Sequence, residues 1–383
     1  MQVLQLLVAA ALALVSVLAL VQLVWARLSI PSLDSVPPLA DHGPLVSVVV
    51  AARDEERHVE AATRSMLAQR YEHLELVVVD DRSTDATPAL LRRLEATHRN
   101  MTVVRVDTLP DGWLGKNHAL HVGAQHASGE LLLFADADVL LAADTLSRAV
   151  RLLRAERADH LAVAPMMVAP TAPLALVVNY FFMWFVLYLR PWRARDPNSR
   201  AYIGIGAFNL VRRSSYEAVG GHARIALRPD DDLMLGKILK TNGFRQILAT
   251  GEHLVSVEWY RSLGELARGF RKNAFAGMHY SLLLTTGAIF GQLMLGVLPF
   301  IAIWATSGVE RLLFLTAALA QMIAYAGGAF AQRTRPWLAV FYPVAALLFV
   351  VIVTAAVGRT VLRGGIEWRG TRYPLDALRA NRV

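Results

Sequence analysis

The sequence predicts an α/β domain built on a mainly parallel sheet, joined to α-helical transmembrane segments. Three observations carry this reading. Short apolar runs alternate with helical patterns through the middle of the chain, and acidic residues gather at the carboxyl ends of those runs. Long uncharged apolar runs lie towards both ends.

The ends set the layout. Residues 1–25 hold no charged residue, and a spanning helix needs about 20 apolar residues. A cleaved signal peptide is the rival reading, but it calls for a basic segment ahead of the apolar run, and no Lys or Arg precedes this one. Residues 281–306, 312–330 and 337–357 are three further stretches long enough to cross. The expected organisation is an N-terminal anchor over 1–27, a water-soluble domain over 45–280, membrane or interfacial helices over 281–358 and a basic tail over 359–383. Residues 174–190, very apolar and aromatic, read either as an interfacial helix docking the domain on the lipid bilayer or as a core helix.

Charge orients the chain. Arg27 follows the first span, and Arg268, Arg271 and Lys272 precede the second. Positive flanks stay inside, so the soluble domain should be cytoplasmic, on a multi-pass protein of the inner or plasma membrane. The tail carries six arginines and should also be inside, whereas three full crossings would place it outside. One stretch is therefore expected to be re-entrant or interfacial, 281–306 first. The net charge is +8, and several of the lysines and arginines fall beside apolar segments, which favours a membrane over nucleic acid as the partner. With no cysteine, disulfides and thiolate metal sites are excluded.

In the soluble domain, LVSVVVAA (45–52) is a buried-strand signal followed by a helical pattern from Glu55 to Gln69. LELVVVDD (74–81) and MTVVRVD (101–107) are the next strands, with helices from about Ala86 and Lys116. ELLLFADAD (130–138) is the fourth strand. Such alternation predicts a parallel sheet covered on both faces, with ligands outside the carboxyl ends of the strands. Asp80 and Asp81 end the second strand; Asp136 and Asp138 end the fourth, on one side of the extended chain. Like charges so close repel unless something positive sits between them. No GxGxxG follows the first strand and no GxxxxGK[ST] occurs, which argues against a dinucleotide oxidoreductase and a P-loop NTPase.

The ordered set VSVVVAARDEE, VVVDDRSTDAT, GWLGKNHAL, LLLFADAD and RPDDDLMLG resembles the inverting glycosyltransferases of family 2, with their Rossmann-like GT-A fold. GWLGK and the terminal IEWRGTRY (366–373) look like the membrane enzymes of that family that glycosylate lipids, such as ceramide glucosyltransferases and bacterial hopanoid- and carotenoid-linked glycosyltransferases.

The resemblance implies roles. Asp136 and Asp138 match the family's DxD, holding Mg²⁺ or Mn²⁺ against the diphosphate of a nucleotide-sugar donor, UDP-linked, with Asp138 the more direct ligand. Asp81 would accept a hydrogen bond from uracil, with Arg53 and Glu55 lining the same pocket, although Ser83, Thr84 and Asp85 are also good helix-capping types. Lys116, at a helix start, would neutralise diphosphate, while His118 and His121 read as structural. Asp231 and Asp232 map onto the family's acid pair, with Asp232 the general base, although acids in a first helical turn also suit the helix dipole. Arg271 matches the arginine of QxxRW, where Lys272 replaces the tryptophan. Arg268 and Arg271 either clamp diphosphate or flank the next span. The implied activity is transfer of a single sugar to a hydroxyl of a membrane lipid, with inversion. A processive polysaccharide synthase predicts long products and a pore, and the missing tryptophan and few spans count against it; a non-catalytic nucleotide-binding membrane protein predicts binding without turnover.

Overall fold

The computed structural model describes residues 2–381. The first half of the chain runs α1 (Gln2–Ser29), β1 (Val46–Ala52), α2 (Val59–Leu67), β2 (Leu74–Asp81), α3 (Thr87–Glu95), β3 (Met101–Val106), α4 (Gly115–His126), β4 (Leu131–Asp136), β5 (Val139–Leu141), α5 (Thr145–Ala155), β6 (His160–Met167) and α6 (Ala172–Leu189). The second half runs β7 (Asn209–Arg212), α7 (Arg213–Ala218), α8 (Asp231–Thr241), β8 (Gln246–Val257), α9 (Leu263–Asn273), α10 (Leu282–Gly296), α11 (Leu298–Ala305), α12 (Gly308–Ala331), α13 (Tyr342–Leu362), β9 (Gly365–Trp368), β10 (Thr371–Pro374) and α14 (Leu375–Ala380). Two compact units result: one of Ile30–Val168, Arg190–Glu258 and Ala380–Val383, the other of Met1–Ser29, Ala169–Leu189 and Trp259–Arg379.

The first unit holds an eight-stranded sheet in the order β3-β2-β1-β4-β7-β6-β8-β5. Strands β1 to β4 are mutually parallel where they pair, as the alternation of strands and helices predicts. β1, β2 and β4 are buried on both faces, so their runs of Val and Leu stand where water is absent, whereas the edge strand β3 leaves Thr102 and Arg105 exposed. Beyond β4 the sheet is mixed: β7 runs antiparallel to both β4 and β6, and β5 antiparallel to β8. Helix α4 lies close on β1 and β2, because a Cβ at Gly123 would stand 2.5 Å from Val49 Cγ1 and 3.0 Å from Val79 Cγ2. The buried side-chain amide of Asn117 fixes the start of α4, donating to the carbonyls of Ile225 (2.6 Å) and Arg228 (2.9 Å).

The second unit is helical. Four helical stretches among the described residues are long and apolar enough to cross a membrane: Val3–Ser29, Ala172–Arg193, Gly308–Ala331 and Pro336–Leu362. Helices α10 and α11 pass the same test only as a pair, bent by 42° at the break before Pro299. Helix α1 leaves Val3, Leu4, Leu14 and Trp25 more than half exposed, as side chains facing lipid would be. Its other face packs Ala9 and Ala13 with Ala317 and Phe314 of α12. Small residues let helix backbones approach where no hydrophobic gain is available, and Gln321 donates to Ser16 Oγ at 2.8 Å across that interface.

Candidate active site

Register sets the site. Ala51 of β1 pairs with Asp136 of β4, and Ala52 pairs with Asp80 of β2. The acids that close these strands therefore share one rim, beside β1, which ends just before Arg53.

Around Asp81 the rim is a network of arginines and loop bonds. Arg82 turns into the left-handed region (φ 58°) and folds back on its neighbour, Nε donating to Asp81 Oδ1 at 2.7 Å and Nη2 to Oδ2 at 3.0 Å. Arg53 Nη1 stands 3.7 Å from Asp81 Oδ2. Helix α4 presses on the same carboxylate, since a Cβ on Gly115 would lie 2.4 Å from Asp81 Oδ2. The residues after β1 do not enter a helix at Glu55; α2 begins at Val59. Their amides are taken by the 83–87 segment: Asp54 N donates to Ser83 Oγ (3.0 Å), Glu55 N to Thr87 Oγ1 (2.8 Å) and Glu56 N to Asp85 Oδ2 (3.0 Å). The capping-type residues thus brace two loops against each other.

The second corner gathers Lys116, Asp136, Asp231 and Asp232, which line one cavity. Lys116 Nζ lies 2.8 Å from Asp136 Oδ1 and 3.3 Å from Asp231 Oδ2. Burial alone would pull this ammonium down, but Asp136, Asp231 and Asp232 outweigh it and hold Lys116 well above the usual lysine range. The positive charge that closely spaced acids require is therefore supplied in part by the protein. Asp232 lies in the first turn of α8, its Oδ2 accepting from Gly206 N at 2.6 Å and its Oδ1 from Leu233 N at 2.8 Å. Burial first, then the charge of Asp231, pushes its carboxyl up to about 7, with Lys116 opposing.

One residue joins the two acidic elements. Gly206 donates to Asp232, and its carbonyl accepts from Asp136 N at 3.0 Å. A Cβ there would stand 2.6 Å from Asp136 Oδ2 and 3.4 Å from Asp232 Oδ2. A Cβ on Gly204 would collide with the Asp232 carbonyl oxygen at 1.8 Å. Neither glycine was singled out by sequence; their spacing within the apolar IGIGAF is the signal that was available.

Asp138 stands between β4 and β5, and burial, then Asp136 and Glu55, push its carboxyl up to about 7. This corner carries more negative charge than Lys116 offsets, which suits a divalent cation. Among the described residues no group of three or more His, Asp or Glu is placed to hold a metal. Mg²⁺ is commonly held by only one or two carboxylates together with substrate phosphates, and Asp136 with Asp138 fits that half-site. Arg271 is not among these residues: it lies on α9 of the helical unit, where its carbonyl accepts from Thr360 Oγ1 at 3.5 Å. Lys272 covers the ring of Trp368 at 4.3 Å. His118 and His121 pack against Trp113 at 5.4 and 5.1 Å.

A parallel Rossmann-like sheet with acids along its carboxyl rim is the architecture of GT-A domains. Residues 47–220 match the family model described as glycosyl transferase family 2, and they form a glycosyltransferase family 2 domain. The chain is 24% identical over 235 residues to the 4,4'-diaponeurosporenoate glycosyltransferase of Staphylococcus haemolyticus, covering 61% of each protein. It is 32% identical over 116 residues to the beta-monoglucosyldiacylglycerol synthase of a Nostoc species, covering 30% of this chain and 24% of that one. The match thus spans less than two thirds of either relative's length. Among solved structures, the mannosyltransferase of Pyrobaculum calidifontis in complex with GDP-Man and Mn²⁺ superimposes with a TM-score of 0.54 at 22% identity, over 94% of this chain and 99% of that one. This likeness supports the fold.

Proposed function

We propose that this chain is a membrane glycosyltransferase that moves one sugar from a UDP-linked donor to a hydroxyl of a lipid, with inversion. The observation that carries the reading is the Lys116–Asp136–Asp231–Asp232 cluster at the strand ends of a family 2 domain. Asp81, Arg53 and Glu55 would face the nucleotide, and Lys116 and Asp136 the diphosphate. Asp138 and Asp136 would hold Mg²⁺ or Mn²⁺, which when bound stabilises the charge of the departing diphosphate.

Asp232 takes the proton of the acceptor hydroxyl as its oxygen attacks the anomeric carbon. The bond from that carbon to the diphosphate oxygen breaks, and the nucleoside diphosphate leaves with the electron pair. One displacement inverts the anomeric centre. Asp231 and Gly206 N hold Asp232 in place: Asp231 by keeping Lys116 in the cluster, Gly206 by its hydrogen bond.

A lipid acceptor is supported by the names of the relatives above and by the apolar helices. Both ends of α6 lead into the sheet-containing unit, which favours an interfacial helix over a crossing one. Asn381 also belongs to that unit: its Oδ1 accepts from Leu227 N at 3.1 Å and its Nδ2 donates to Arg224 O at 3.3 Å. An even number of crossings must therefore separate Glu258 from Asn381. With α12 and α13 as crossings, the bent α10–α11 pair would be re-entrant, and the charge flanks favour a cytoplasmic catalytic unit.

The experiment incubates membranes carrying the protein with labelled UDP-glucose, UDP-galactose, UDP-N-acetylglucosamine and GDP-mannose, and extracts the lipids. One labelled lipid carrying a single sugar, lost with Asp232→Asn, is the expected result; polymeric product, or binding without turnover, refutes it.

A further inference from the structure

Behind Asp232 lies a polar group that the proposed chemistry does not use. His160, Asn209 and Gln246 are 0%, 1% and 1% exposed, on β6, β7 and β8. A polar cluster so deep must satisfy every donor and acceptor or cost stability, and the partners here fix its direction.

Gln246 has two backbone partners of opposite kind. Its Oε1 accepts from Ile203 N at 3.3 Å, and its Nε2 donates to the Gly236 carbonyl on α8. The amide therefore has one orientation, and its second N–H donates to His160 Nδ1 at 3.0 Å. With Nδ1 an acceptor, the neutral ring carries its proton on Nε2 and donates to Asn209 Oδ1. The Asn209 amide nitrogen then faces the Asp232 carbonyl at 3.4 Å. Burial holds His160 down to about 4, so the ring stays neutral at physiological pH.

The chain of bonds begins on the 203–206 segment and ends on the first turn of α8. These same two pieces are in closest contact: a Cβ on Gly236 would lie 1.9 Å from Ile203 O, as one on Gly204 would strike Asp232 O. Gly206, at the end of that segment, binds the Asp232 carboxylate on one side and the Asp136 amide on the other.

We propose that His160, Asn209 and Gln246 form a buried positioning relay that sets the spacing of the Asp232 and Asp136 carboxylates by clamping the 203–206 segment to α8. The inference rests on the reading of Asp232 as the general base. His160 and Gln246 are not part of the cavity wall, while Asn209 lines it beside Gly206 and Asp232; the relay acts on rate through Asp232 and Gly206.

The test compares His160→Leu, His160→Gln and Asn209→Asp with wild type and Asp232→Asn, in detergent, using whichever of the four nucleotide sugars labels lipid. His160→Leu removes both ring partners. His160→Gln keeps a donor near the Nε2 position. Asn209→Asp keeps shape but turns an acceptor towards the Asp232 carbonyl. Misplacing a reacting group by about 1 Å costs roughly 100-fold in rate. His160→Leu and Asn209→Asp should therefore lose roughly 10- to 100-fold in kcat with donor KM within about threefold of wild type, and His160→Gln should recover most of the loss. If His160→Leu does not fold, Asn209→Asp carries the same expectation. Wild-type kcat in the folded variants, or a loss falling on KM that glutamine does not rescue, overturns the relay while inactive Asp232→Asn keeps the base. Activity surviving Asp232→Asn, or no transfer from any donor, overturns the catalytic reading and the relay with it.

Discussion

Replacing Lys116 with methionine keeps most of the aliphatic stem and removes the ammonium that stands 2.8 Å from Asp136 and 3.3 Å from Asp231. Breaking a buried ion pair by removing one partner costs about 3–5 kcal/mol. Asp231 is 6% exposed and bears the full penalty, whereas Asp136 is 39% exposed and is screened by water. A loss of about 2–4 kcal/mol follows once the second contact is discounted. For a unit of roughly 200 residues this lowers the transition temperature by roughly 4–16 °C. The pH dependence fixes the cause. Asp138 and Asp232 carry folded-state carboxyls raised to about 7, so the stability tied to their protonated forms is present in acid and lost as pH climbs through that value. Without Lys116 that loss deepens. Thermal unfolding in detergent at about pH 8 and about pH 5.5 should show the variant's deficit larger at the higher pH. A deficit that is absent, or that grows towards acid, would refute the assignment of Lys116 as internal counter-charge.

Three further outcomes follow from the geometry. Asp232→Asn should retain UDP binding and lose transfer by about 10²–10⁴-fold, and the wild-type rate should rise with pH through an apparent pKa near 7, because the base works only when ionised; steady-state kinetics between mildly acidic and mildly basic buffer read both. Gly204→Ala drives a Cβ to 1.8 Å from Asp232 O and should cost at least about 1–3 kcal/mol together with activity, while Gly287→Ala, with nothing within 4 Å, should melt like wild type. The chain has no cysteine, so single cysteines can report sidedness: at Asp41 and Asp376, 69% and 99% exposed, both should react with an impermeant maleimide from the same side of sealed vesicles, and opposite sides would defeat the even-crossing count.

Much of the architecture could be read from residues alone. Continuous Val and Leu runs marked β1, β2 and β4 because both faces are covered, and Asp80, Asp81, Asp136 and Asp138 marked the rim because acids do not sit inside such strands. The mixed half of the sheet was not legible. β5 is three residues long and earns its place only by pairing with β8, a partner far along the chain. β7 gives four residues to pattern recognition, and its direction is a tertiary outcome. In the site, Asp232 and Lys116 stood out by type, but their meeting depends on Gly204 and Gly206, which carry no chemistry of their own. His160 and Gln246 carry no motif that marks them; only the assembled sheet makes them neighbours of α8.

The interruption of the sheet by α6 bears on how the protein can be handled. β6 and β7 are hydrogen-bonded neighbours, yet the chain between them leaves the sheet unit for an apolar helix and comes back. A recombinant fragment trimmed of its first and last helices would still carry this greasy excursion through the middle of its catalytic half. Solubilising the enzyme by cutting at its ends is therefore the wrong surgery: detergent or nanodisc is needed for as long as α6 remains, and removing α6 means reconnecting two adjacent strands.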